Sequence, residues 1–428
     1  MVSITILLQM ILEVLHMMIS STEALIEVLT QYLHLSRRRR ERRRRTDLQA
    51  LSHAPSRYNR RASIRAWAPV IAAHTVPRRW WVKDRSEDWW DNTVMATWID
   101  EDWLKNFRMS RATFFELAGT LRHRLERQNT RIRPSIPVEK RLAITLWYLA
   151  NQEYFRNLRH QFGVGLSTAF IIMKEGCRAI LEELFKKKVC LPNEVGSIMD
   201  GFARMGFPNC IGALDGSHIP VAPPAQRAHI YKNRKGGHSI LLQGAVDHRG
   251  RFIDAEIGKS GRNHDSSVFR SSKLCRAMDG GVFVPGNPTI TVNGVTIPPL
   301  MLADGGYPIR GWLMTPFRSP TAHMEKVFNK RHAKARVVVE RAFGRLKSRW
   351  SCLTKRLRVK EEDFTPITAA CVVLHNICEE KGHLAESLGA GDIPLLPVPP
   401  PDVLSDRRHK TRGERVRAAL MTVVCNEE

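Results

Sequence analysis

Hydrophobic and polar positions recur along this chain with two periods, and the change between them divides it. From Phe107 to Leu191 apolar residues return three and four apart, the spacing of helices with one buried face. "FRMSRATFFELAGTLRHRL" predicts a helix capped at Ser110, whose hydroxyl can accept from the first turn. Pro134 and Pro137 separate it from a second helix, "VEKRLAITLWYLAN". In "YFRNLRHQFGVGLSTAFIIMKEGCRAILEEL" a short helix reaches Phe162, "GVG" turns, and Ser167 caps a longer helix. That is a helix-turn-helix layout. A helix that reads bases presents polar side chains near its start. This one offers Ser167 and Thr168, then Ala169, Phe170, Ile171 and Ile172, so DNA contact and plain helix packing both stay open.

From Cys210 the texture becomes that of strands. "CIGALDGSHIPV", "SILLQGAVDHRG" and "RFIDAEIG" are short β-type runs bounded by Gly, Pro and Asp, with "DHRG" as a hairpin turn. After the Pro/Gly-rich "VFVPGNPTITVNGVTIPP", "LMLADGGY" gives another apolar strand ending in a carboxylate. Helical spacing returns in "VVVERAFGRLKSRW" and "FTPITAACVVLHNICEEKG". "IPLLPVPPPDV" reads as a linker and "RGERVRAALMTVV" as a short docking helix. The predicted organisation is an apolar leader and arginine-rich segment over 1–46 and a Trp-rich extension over 47–106. A helix-turn-helix-like α domain over 107–195, an α/β catalytic domain over 205–381 and a Pro-rich linker and tail over 382–428 follow.

Composition sharpens this. The chain has 428 residues, 43% of them hydrophobic, enough for a real core. Its net charge of +25 favours a polyanionic partner, and nucleic acid fits better than a membrane because basic residues recur through the folded part. The leader "MVSITILLQMILEVLHMMI" is interrupted by Gln9, Glu13 and His16, which disfavours a membrane span. Its helical continuation, "TEALIEVLTQYLHL", suggests an amphipathic segment through which the chain could form a homo-oligomer. "RRRRERRRR", Arg37 to Arg45, is read as a nuclear import signal or phosphate-binding arm, against the plainer reading of a solvated linker. Trp80, Trp81, Trp89, Trp90, Trp98 and Trp103 are interleaved with acidic residues, which argues for anchors on the body rather than base stacking. The eight cysteines form no CxxC pair and read as buried free thiols.

Three carboxylates stand out. Asp215 closes "CIGALD" and Asp304 closes "LMLAD"; ligands of open α/β sheets gather at the carboxyl ends of strands, so the two could share a site. Asp-Gly is also the commonest turn signal, so each alone is weak. On a helix of 3.6 residues per turn, Val339, Phe343, Leu346 and Trp350 form one stripe, and Glu340 lies at its edge in line with Arg336, Gly344 and Lys347. Its plain reading is a Glu–Lys helix pair. Three carboxylates brought together repel, and a divalent cation reverses the sign. Two Mg²⁺ or Mn²⁺ ions ~3.5–4 Å apart could activate a water and stabilise the leaving oxygen of a phosphodiester. Arg336, Arg341, Arg345 and Lys347 would then hold the DNA backbone. Asp254 and Glu256 share the face away from their apolar neighbours, and Asp247 lies in a turn. Asp265 is expected to cap the helix that starts near Ser266. His264 is weighed as a substrate contact against the commoner structural histidine.

"IGALDGSHIPV", "GAVDHRGRFIDAEIGKSGRNHDSSVF", "LADGGYPIRGWLMTPF" and "FNKRHAKARVVVERAFGRLKSRW" closely resemble the PIF/Harbinger transposases and the host nuclease domesticated from them. The likeness runs from about Phe107 to Glu380. It implies an RNase H-like mixed sheet flanked by helices, with a DDE metal triad falling on Asp215, Asp304 and Glu340; 35 residues separate the last two. It further implies DNA-strand cleavage, strand transfer by a 3′ hydroxyl in a working transposase, a nuclear location, and a Myb-like partner protein that supplies much of the sequence-specific DNA binding. A DNA-binding or adaptor protein whose nuclease has decayed is the alternative.

Overall fold

The antiparallel register of Asp215 with Gly244 and the parallel register of Leu214 with Ala303 meet at one point of one strand, and the fold is arranged around it. The computed structural model describes residues 86, 88–131, 134–151, 153–383 and 407–426, all within the compact unit that spans 84–428. The apolar leader, Arg37 to Arg45, Trp80, Trp81 and the Pro-rich linker lie outside the described residues.

Helices come first: α1 (Asp100–Phe107), α2 (Arg111–Leu125), α3 (Val138–Asn151), α4 (Phe155–Gln161), α5 (Leu166–Lys188) and α6 (Gly196–Ala203). Ser110 caps α2 as expected, accepting from the Thr113 amide at 3.3 Å. Ser167 does not cap α5, because the helix begins one residue earlier at Leu166 with Gly165 as its N-cap. The tryptophans behave as anchors. Trp89, Trp90, Trp98 and Trp103 interlock with Phe107, Phe114, Trp147 and Phe162, some rings edge-on and more of them tilted. Packing dominates in α5: Ala169, Ile172, Met173, Gly176 and Ile180 are buried, and the helix lies against α3 and a later helix over Phe364–Glu380. Gly176 permits that approach, since a Cβ there would stand 2.2 Å from Thr145 Oγ1.

The sheet follows: β1 (Cys210–Pro220), β2 (Ser239–Val246) and β3 (Phe252–Ser260), then α7 (Asp265–Ser271) and α8 (Lys273–Asp279). A small hairpin of β4 (Ile290–Val292) and β5 (Val295–Ile297) precedes β6 (Leu300–Ala303) and β7 (Leu313–Met314). Helices α9 (His323–Arg349), α10 (Phe364–Glu380) and α11 (Arg407–Asn426) complete the described chain. The five-stranded order is β3-β2-β1-β6-β7, with β3, β2 and β1 antiparallel neighbours and β1, β6 and β7 parallel. This is the RNase H-like arrangement. Alternation along β6 places Met301 and Ala303 with α7 and α8, and Leu300 and Leu302 on the other face with the larger core. β2 is buried throughout because both faces are covered. The C-terminal helix runs 20 residues, longer than the short element expected, and docks on α9 and the β4–β5 hairpin.

The eight cysteines are free, and six of them are buried; Cys190 is exposed and Cys425 half-buried. No helix among the described residues is long and apolar enough to cross a membrane.

Candidate active site

Asp215 is not at a strand end, as its sequence suggested. β1 runs on to Pro220 because its pairing with β2 continues; only the parallel pairing with β6 stops, at Leu214 and Ala303. The next residue on each strand is an aspartate, so register alone sets Asp215 beside Asp304. Each is fixed by backbone amides: Gly216 donates to Asp215 Oδ1 at 2.8 Å, and Gly306 donates to Asp304 Oδ1 at 3.0 Å.

Glu340 arrives on α9. The predicted stripe is the observed one: Val339, Phe343, Leu346 and Trp350 are all buried. Gly344 opens onto empty space, so it is not what shelters Glu340. Arg336, one turn earlier, does that. Its Nη2 donates to Glu340 Oε1 at 2.5 Å, and its Nη1 lies 3.6 Å from Asp215 Oδ2. One guanidinium therefore bridges two of the three predicted carboxylates, and its field also reaches Asp304.

A fourth carboxylate was misassigned by sequence reasoning. Asp265 is the first residue of α7, whose N-cap is His264, and it caps nothing. Its carboxylate lies against Gly216, where a Cβ would stand 2.7 Å from Asp265 Oδ1, and it faces Asp304. The signal was present: an acid next to His264 in a Gly/Ser-rich loop after a strand. Helix capping is the commoner reason for an aspartate at such a place. His264 is exposed, not a core histidine; Arg234 hydrogen-bonds to it, and both line a cleft with His218, Asp265 and Asp304.

Burial, then the neighbouring Asp304, pushes Asp215 up to about 7, with Arg336 and the Gly216 amide opposing. Burial and Asp304 push Asp265 to about 6. Asp304 is also raised, chiefly by burial. The Tyr307 hydroxyl is buried beside these aspartates without a hydrogen-bond partner, and burial followed by Asp265, Asp215 and Asp304 raises its pKa well above the usual phenol value. The site is short of positive charge, and its donors are hard oxygens; both fit a divalent cation such as Mg²⁺ or Mn²⁺. Among the described residues, no three His, Cys, Asp or Glu side chains are grouped to hold one ion.

The other predicted backbone contacts divide. Arg341 is exposed. Lys347 donates to the His218 carbonyl at 3.1 Å, and burial lowers its pKa to about 8. Arg345 is committed elsewhere: it donates to Glu379 at 3.2 Å and to the Arg249 carbonyl at 2.7 Å, so it braces α9 against α10.

The sheet is of the RNase H-like class, and acidic side chains gather where β1 leaves β6. Residues 214–376 match the DDE superfamily endonucleases. The chain is 31% identical over 330 residues to the Arabidopsis thaliana protein named Antagonist of like heterochromatin protein 1, covering 72% of this chain and 81% of that one. It is 26% identical over 308 residues to an Arabidopsis thaliana ALP1-like protein, covering 68% and 75%. It is 25% identical over 290 residues to the Homo sapiens protein named "Putative nuclease HARBI1", covering 66% and 79%. No solved structure matches the chain. The chain belongs to the Harbinger-derived family of DDE superfamily endonucleases.

Proposed function

We propose that this protein is a metal-dependent DNA endonuclease whose centre is built by Asp215, Asp304 and Glu340, with Asp265 as a fourth carboxylate. The observation that carries the reading is the β1–β6 register, which sets Asp215 beside Asp304 under the Glu340-bearing helix. Bound divalent cations would supply Lewis acidity and a hydroxide-like nucleophile near neutral pH. The chain's own residues do the rest. The Gly216 and Gly306 amides hold the two aspartates in place, and the cleft with Arg234 and His264 offers cationic and hydrogen-bonding contacts for a phosphodiester. Lys347 and exposed Arg341 add positive charge along α9. Cleavage would leave a 3′ hydroxyl, which strand transfer could use, and a Myb-like partner would supply sequence recognition.

A second reading, a DNA-binding adaptor without turnover, is favoured by one observation: Arg336 fills the space between Asp215 and Glu340. Nicking assays of the full chain on duplex DNA with Mn²⁺ or Mg²⁺ separate the two. Cleavage by wild type, lost by at least about a thousandfold in Asp304→Ala while DNA binding persists, supports the nuclease. Binding without cleavage under either metal supports the adaptor.

A further inference from the structure

The C-terminal helix was expected only to dock. One face does: Val416, Leu420 and Val424 are buried, and Asn293 of the hairpin donates to Thr422 at 2.9 Å. Arg417 lies 3.9 Å over the Phe317 ring and donates to the Thr315 and Pro316 carbonyls, each at 3.1 Å. Gly413 allows the helix to touch the chain at Arg310, where a Cβ would stand 2.9 Å from the backbone. The helix is thus held firmly, and what its other face presents is fixed in position.

That face is basic. Arg407, Arg408, Lys410, Arg412 and Arg415 are exposed. Among the described residues, neither Arg412 nor Arg415 has a carboxylate partner. The two instead line a shallow, open notch with Val295, Thr296 and the hairpin glycine, Gly294. Gly294 has a positive φ of +72° and nothing within 4 Å of where a Cβ would sit, so the turn is open to solvent there. Both arginines and the hairpin turn therefore border one notch. The notch is also tied to the candidate site. The loop that begins at Asp304 and leads to β7 contains Gly311, whose missing Cβ would stand 3.0 Å from Arg412 Cδ.

We infer that the notch between α11 and the β4–β5 hairpin binds a backbone phosphate of the DNA that enters the site. Two planar guanidiniums match phosphate oxygens, and each contacted phosphate adds to the salt dependence of binding. The inference rests on DNA being the substrate and adds a second point of contact, on an element the sequence marked only as a docking helix.

The test is duplex-DNA binding by the full chain as a function of salt. The double variant Arg412→Gln/Arg415→Gln is compared with Lys186→Gln/Lys187→Gln, which removes the same charge from the exposed end of α5. Gly294→Asp is the second probe: it adds a carboxylate at the lining of the notch without removing an arginine, in a left-handed turn where aspartate is strained less than most residues. The notch predicts about a tenfold loss of affinity at moderate salt and a salt slope shallower by about 1 to 2 for the arginine variant, a loss in the same direction for Gly294→Asp, and little change for the control. Equal losses in the arginine and lysine variants mean a general charge effect and overturn the notch, while the reading of the active site stands. Failure of wild type to bind DNA at all overturns both.

Discussion

Arg336 is the residue on which the chemistry of the centre turns. It sits 3.6 Å from Asp215 and hydrogen-bonds Glu340, so it already supplies the positive charge that part of the cluster needs. A divalent cation must compete with it. Replacing Arg336 with glutamine should therefore strengthen Mn²⁺ binding by about tenfold in calorimetry or Mn²⁺ EPR, even if DNA affinity drops. Weaker Mn²⁺ binding in that variant would show that Arg336 helps assemble the ligands rather than rivalling the ion. Sequence spacing had put Arg336 and Glu340 on one line of a helix, which the structure keeps. It could not show that the guanidinium points inward across the sheet, because Asp215 lies 121 residues away along the chain. Arg345 shows the converse. It sits in the same basic run, yet Glu379 and the Arg249 carbonyl claim it.

The elements were legible where one periodicity and one burial requirement agreed. The stripe Val339, Phe343, Leu346 and Trp350 projected from 3.6 residues per turn is the buried stripe of α9. β2 and β3 with their Asp247 turn also follow the reading, with Asp247 accepting from Arg249 and Arg251 amides at 2.9 Å each. Ends were less legible. Asp215 looked terminal because Asp-Gly usually breaks strands, but pairing with β2 carries β1 five residues further. The meeting of α3 and α5 was invisible, since it depends on a glycine opposite a threonine 31 positions away. Gly176→Ala should cost about 1 to 3 kcal/mol in urea unfolding, because Thr145 is held by its own hydrogen bond to the Arg141 carbonyl and cannot easily yield. Mn²⁺ binding should not change. An unaltered midpoint would mean that the two helices separate at little cost.

For the whole molecule, the buried acids make stability depend on pH. Asp215 and Asp265 keep their protons to about 7 and about 6, against an ordinary value of 3.8. Between those limits the folded chain binds protons that the unfolded chain has released. Stability from these groups is therefore greatest in acid and falls as pH rises toward 7, by a few kcal/mol at most. In metal-free protein the denaturation midpoint should drop from pH 5 to pH 7, and Asp215→Asn should flatten that drop. A variant profile as steep as wild type would place the titration elsewhere. Divalent cation should restore wild type at the upper end, since it favours the ionised forms.

By itself the sequence determined the class of secondary structure through most of the described regions, the expectation of a polyanionic partner, and the identity of Asp215, Asp304 and Glu340 as candidates. These depend on local spacing and on residue chemistry, which survive reading one position at a time. Tertiary structure alone decided that Asp265 faces Asp304, that Arg336 lies between two acids, that Arg345 is spent on bracing, and that Arg412 and Arg415 share a notch with Gly294. Each of these joins residues distant along the chain, and only strand register and helix packing bring such residues within reach of one another's charge.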